Sequence, residues 1–146
     1  MIYVMEKQKT KDINKNIVDY INSNLNKKFM VLTKDLQQTT ALNKKITREC
    51  ICVGRKYKMC GDLNPYEVCD SILNNKDVIL MHYNYLPFFY KKIRDSLDKY
   101  NLIVTNAVEP LTRWNKINEF TFDRVSENGI EYCKPFSPKR FIDTCL

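Results

Sequence analysis

Apolar residues recur every four positions at Ile13, Ile17, Ile21 and Leu25, with Val18 and Tyr20 beside them. That period marks an amphipathic helix, starting after Thr10 or Asp12. Phe29-Met30-Val31-Leu32 is a short apolar run and predicts a strand. Thr33 then caps a short helix over Lys34 to Thr40. Ile46, Cys50 and Val53 are spaced four and three apart, which predicts another helix from about Asn43 to Val53, stopped by Gly54. Its other face carries Lys44, Lys45 and Arg48. Lys56 to Cys60 predicts a strand, and Asn64-Pro65 opens a further helix, because proline fits the first helical turn. Tyr66, Cys69, Ile72 and Leu73 line the inner face of that helix.

The pattern is clearest in the middle of the chain. Val78-Ile79-Leu80-Met81 is continuously apolar, as in a strand covered on both faces, and the strand is placed over 78–83. A helix follows from Pro87 to Tyr100, with Phe89, Ile93, Leu97 and Tyr100 inward and Lys91, Lys92, Arg94 and Lys99 outward. Leu102 to Val108 is the next strand. A strand-helix-strand unit this short implies parallel strands joined by a right-handed crossover. Further on, Phe120 and Phe122 alternate with polar residues, as do Ile130 and Tyr132. Asn128-Gly129 between them is a hairpin turn signal. Ser137 caps a last short helix over Pro138 to Cys145, with Phe141 and Ile142 apolar. Ser137-Pro138 also has the form of a proline-directed phosphorylation site.

From Asp62 to Leu146 this order resembles thioredoxin and the protein disulfide isomerase modules. Lys76-Asp77-Val78-Ile79-Leu80-Met81-His82-Tyr83 is similar to that family's central strand. Phe120 to Tyr132 is similar to its late hairpin, and Ser137 to Asp143 to the start of its last helix. The resemblance implies an α/β fold, a thioredoxin-like three-layer α/β/α arrangement with a mixed sheet. It covers a domain over 56–146, preceded by a mainly helical N-terminal extension over 1–55. It also requires segments 78–83 and 102–108 to pair in parallel. The family's Cys-x-x-Cys stands where this chain has Leu86-Pro87-Phe88-Phe89-Tyr90. Its cis-proline before the hairpin is replaced by Lys116-Ile117-Asn118-Glu119. Disulfide exchange needs an exposed thiolate of lowered pKa and a resolving thiol, and this junction has no sulfur.

Composition narrows the setting. The 146 residues suit one compact domain with an extension, and 44% hydrophobic and 12% aromatic residues supply a core. The bias to Lys, Asn and Ile, with 3 Gly, is that of AT-rich genomes, large DNA viruses included. Charges begin at Glu6, no apolar run approaches about 18 residues, and no Asn-x-Ser/Thr acceptor occurs. An intracellular, cytoplasmic protein with reduced cysteines and no membrane span is expected. The net charge of +7 favours acidic partners, nucleic acid among them.

Three functional readings follow. The leading one is a redox-inactive binding or scaffold protein that holds a protein partner through Phe88, Tyr90 and Trp114. The first two lie where thioredoxins keep their thiols. The second is a nucleic-acid-binding protein whose residues 13–58 resemble a helix-turn-helix, with Lys44, Lys45 and Arg48 on phosphates. The third is a thiol oxidoreductase using Cys50 and Cys52. No catalytic residue, cofactor or metal site is assigned. Cys50, Cys52, Cys60 and Cys69 fall within 20 residues but lack the paired Cys-x-x-Cys spacing of a zinc site, and the sole histidine, His82, sits in a strand. No Gly-x-Ser-x-Gly and no glycine-rich phosphate loop is present.

Overall fold

The computed structural model describes residues 2–5, 10–53, 76–105, 123–127, 130–134, 139 and 142–143. In chain order these form β1 (Ile2–Met5), α1 (Thr10–Ser23), β2 (Phe29–Thr33), α2 (Leu36–Lys45), β3 (Cys50–Val53) and β4 (Val78–His82). A 3-10 turn, Tyr83–Tyr85, leads into α3 (Leu86–Ile93). A second 3-10 helix (Arg94–Lys99), β5 (Asn101–Thr105), β6 (Asp123–Glu127) and β7 (Ile130–Lys134) follow.

The strands make one 7-stranded sheet in the order β3-β4-β2-β5-β1-β7-β6. The first five in that order run parallel to one another. β7 runs antiparallel to β1, and β6 antiparallel to β7 from the pair Glu127↔Ile130. The two strands of this hairpin pair up to Glu127 and Ile130, and the predicted turn residues Asn128 and Gly129 lie outside the described residues. The chain is of the α/β class.

β2 is the centre of the parallel part. Phe29 to Thr33 are all buried, and Phe29 pairs with Val78 on one side and Asn101 on the other. On one face, Phe29, Val31, Val78, Leu80, Ile103 and Cys52 pack with Ile13, Ile17, Val18 and Ile21 of α1 and Leu42 of α2. The alternate residues Met30, Leu32, Ile79, Met81, Leu102 and Val104 are equally buried. Burial on both faces explains why these strands read as unbroken apolar runs.

Several expectations are corrected. The first 55 residues contribute β1, β2 and β3 to the sheet, so they are not a helical extension beside it. β4 and β5 run parallel as expected, but β2 lies between them, so the two strands are not directly paired. The predicted helix over Asn43 to Val53 is instead the end of α2, a turn and β3. Cys50-Ile51-Cys52-Val53 pairs with β4, and the spacing at 46, 50 and 53 coincided with a period-two strand. Asp35, rather than Thr33, caps α2: its Oδ1 accepts from Gln38 N at 2.7 Å. Thr33 is instead the last, buried residue of β2. Leu25, predicted on the apolar stripe of α1, falls in the following turn and is 68% exposed. The helix predicted over 87–100 gives way to 3-10 geometry after Ile93, where Asp95, Ser96 and Asp98 are weak helix formers. The strand over Lys56 to Cys60, the helix after Pro65, Gly54, Phe120 and Phe122 lie outside the described residues.

Candidate functional site

In a parallel α/β sheet the strands all end at one edge, and the helices that follow them begin there. Ligands of such sheets bind in the crevice at that carboxyl edge. Here the edge is built from the ends of β2, β4 and β5, at Thr33, His82 and Thr105. Each ends an apolar run with a polar residue. α2 and α3 start there, turning their unpaired backbone N–H groups towards the edge.

Buried polar side chains brace it from beneath. Thr33, Gln38, Thr39 and Thr105 are all buried. Gln38 Oε1 accepts from the Lys34 backbone N–H at 2.9 Å and lies 2.8 Å from Thr105 Oγ1. Its Nε2 donates to Asn14 Oδ1 on α1 at 3.0 Å. The Thr105 hydroxyl also sits 3.0 Å from the Leu32 carbonyl, so its single proton is shared between two acceptors. Thr39 donates to the Asp35 carbonyl at 3.2 Å, so Thr33 is the donor in the 2.7 Å contact between the two threonine hydroxyls. Gln38 thus ties α2, the end of β2, β5 and α1 together. Among the described residues no buried side-chain nitrogen or oxygen lacks a partner.

His82 stands at the rim of this edge. Its Nε2 lies 2.9 Å from the Lys34 carbonyl. A carbonyl only accepts, so Nε2 carries the proton in this contact. The Tyr83 ring is tilted against the imidazole at 4.7 Å between centroids, and Tyr85 meets it edge-on at 6.1 Å. All three rings are half-buried. Sequence reasoning assigned no role to Asn14, Gln38, Thr105, Tyr83 or Tyr85. The available signal was the polar residue that ends each apolar run.

Of the binding residues singled out from sequence, the described side chains lie on α3 (Tyr90) and on α2 and the turn after it (Lys44, Lys45 and Arg48). Tyr90 donates its hydroxyl to Asp143 Oδ1, a residue of the C-terminal segment, and is half-buried. Phe88 lies in the first turn of α3, and its side chain is not among the described atoms. Trp114 lies outside the described residues. Lys44 and Lys45 are exposed on the last turn of α2, whereas Arg48 lies beyond that helix, in the turn before β3.

Arg48 is a structural clamp at the opposite, amino edge. Its Nη1 donates to the carbonyls of Ile21 at 3.3 Å and Asn24 at 3.1 Å. Its Nη2 donates to those of Leu25 at 3.4 Å and Lys27 at 2.7 Å. Its side chain is 7% exposed, with Asp77 Oδ2 at 3.9 Å and the Phe29 ring centroid at 5.8 Å. The guanidinium thus satisfies the end of α1 and the turn after it, where carbonyls lack helical partners. Lys44 and Lys45 stand at the negative end of α2, where cations are favoured whether or not a ligand is present.

The thiols of β3 belong to the same amino half of the sheet. Cys52 is buried. Cys50 donates to the Arg48 carbonyl at 3.4 Å. Desolvation by burial pushes the Cys50 thiol from its ordinary 9.0 up to about 11, against the opposing pull of Arg48. A reactive thiol needs the reverse shift. Among the described residues no group of three or more His, Cys, Asp and Glu converges as a metal site. Cys60, Cys69 and Cys145 lie outside them. No helix of the described residues is long and apolar enough to cross a membrane. No protein-family model, no curated protein and no solved structure matches the chain.

Proposed function

We propose that this chain is a redox-inactive binding or scaffold module that takes a protein partner at the carboxyl edge of its parallel strands, inside the cell. The observation that carries this reading is the aromatic group His82, Tyr83 and Tyr85, set on the end of β4 over a fully hydrogen-bonded polar floor. A rigid floor holds the rings in place. Aromatic rings bury large area at low entropic cost, which suits a protein interface. The proposal moves the recognition surface away from Tyr90, which is engaged with Asp143, and towards the β4–α3 junction.

The likeness to thioredoxins enters through the order strand, helix, strand, hairpin, closing segment, and the lack of sulfur at the β4–α3 junction, where that family keeps its thiols, is what makes the reading redox-inactive. The sheet neighbours depart from what the likeness requires, because β2 separates β4 from β5 and the hairpin adjoins β1. The binding proposal therefore rests on the carboxyl edge alone. The raised Cys50 thiol gives the oxidoreductase reading no support. The engagement of Arg48 with backbone carbonyls takes one of three named cations from the nucleic-acid reading.

A photo-crosslinking amino acid at position 85, and separately at position 44, tests the choice in cells that make the protein. The expected result is a discrete adduct from position 85 that protease removes and nuclease does not. An adduct at position 44 that nuclease removes, with none at position 85, would overturn the proposal.

A further inference from the structure

We infer that Tyr90 and Arg94 form a receptor for an apolar–acidic peptide pair, and that the chain's own Ile142-Asp143 occupies it in cis. Arg94 Nε donates to Asp143 Oδ1 and Nη2 to Oδ2, each at 3.0 Å. This two-pronged match of guanidinium to carboxylate fixes direction as well as position. The Tyr90 hydroxyl adds a third donor, to Oδ1. Ile142, next to this carboxylate, is fully buried. The receptor thus supplies three converging donors to the carboxylate, and the apolar residue beside that carboxylate is buried while they are engaged.

Among the described residues, Lys139 makes the other polar contacts of this segment. The Lys139 backbone N–H donates to Asp98 Oδ1 at 3.0 Å, and its Nζ reaches Asp95 Oδ1 at 3.3 Å. Asp95 is 88% exposed, and exposed pairs of this kind contribute little. Among the described residues the occupant is held by the burial of Ile142 and by the three hydrogen bonds to the Asp143 carboxylate. The contacts join residues 41 to 53 positions apart in sequence. The receptor face lies on α3 and the following 3-10 helix, and the occupant on a separate segment. An external peptide with the same apolar residue and carboxylate meets the same donors and competes with the segment in cis. Occupation in cis lowers the apparent affinity for such a partner by the fraction of open molecules. This surface is independent of the carboxyl edge, so either proposal can fail alone.

The test uses the full chain and a labelled peptide with the sequence of residues 137–146, carrying Cys145→Ser. The chain with Ile142→Ala and Asp143→Asn should bind the peptide about ten-fold or more tightly than the wild type. Adding Arg94→Gln, or replacing aspartate by asparagine in the peptide, should abolish the gain. Equal binding by wild type and variant, or binding indifferent to Arg94→Gln, would overturn the inference. Amide exchange on the wild-type chain is a second readout that needs no altered protein. Excess peptide should speed exchange at Lys139, Ile142 and Asp143, and unchanged exchange there rejects the cis receptor.

Discussion

At the scale of single residues, Arg48 shows how a basic side chain turns from a candidate contact into a part of the fold. From the sequence it is one cation among 24 Lys and Arg. In the structure it donates to four carbonyls and is nearly buried. Arg48→Leu should therefore lower stability by about 1 to 2 kcal/mol, because the part-buried carbonyls of Ile21 and Asn24 lose a charged donor. Urea unfolding reads this directly. A change below about 0.5 kcal/mol, usual for a surface position, would contradict the clamp. Cys50 gives a pH prediction. Its thiol is raised to about 11, so at pH 7 to 8 it holds about a hundredfold less thiolate than an ordinary thiol. Its alkylation by iodoacetamide should lag far behind that of glutathione at pH 8. Tyr100 is raised to about 12, by burial first and by Asp77 second. Both groups favour the neutral form in the fold. Their stabilisation is complete below about pH 9 and is lost as pH rises towards 11 for Cys50 and from 10 towards 12 for Tyr100. A melting temperature that rises through this range would refute the assignment.

At the scale of elements, periodicity was a good guide where one pattern stood alone. The stripe at 13, 17 and 21 is α1, and the apolar runs at 29 and 78 are β2 and β4. It failed at 46, 50 and 53, where a helical spacing overlay a four-residue strand and pairing with β4 decided the outcome. Nothing local signals that pairing. β1 was missed because four residues at an end carry no repeat. The helix α2 depends on two side chains with separate jobs. Asp35 caps it, and Gln38 docks it onto β2, β5 and α1. Asp35→Ala should cost about 1 kcal/mol. Gln38→Ala should cost about 2 to 3 kcal/mol, since it removes three hydrogen bonds, to Lys34, Asn14 and Thr105, the last of them buried. Denaturant midpoints for the two variants give the order, and a larger loss for Asp35→Ala would contradict the docking role.

At the scale of the whole molecule, the sheet joins what composition and resemblance divided at residue 55. β2 pairs with β4 and β5, and β3 pairs with β4, so strands from both sides of that boundary form one core. A fragment of residues 56–146 lacks β1, β2 and β3. It should show no cooperative thermal transition and little dispersion of its amide resonances, whereas the full chain shows both. A cooperatively melting fragment would restore the boundary. The same topology lacks the direct pairing of β4 with β5 that a thioredoxin likeness requires. Order is written along the chain, but the insertion of β2 between β4 and β5 is a choice of neighbours.

The sequence by itself determined which segments are apolar enough to be buried, where the middle strands lie, and that the β4–α3 junction carries aromatic rings and no thiol. These properties follow from side-chain polarity and spacing, which are local. Only the tertiary structure decided that β2 is the central strand, that Arg48 faces carbonyls and that Asp143 meets Arg94. The reason is physical: hydrogen-bond partners and sheet neighbours are selected by burial shared between segments tens of residues apart, and local pattern carries no term for that.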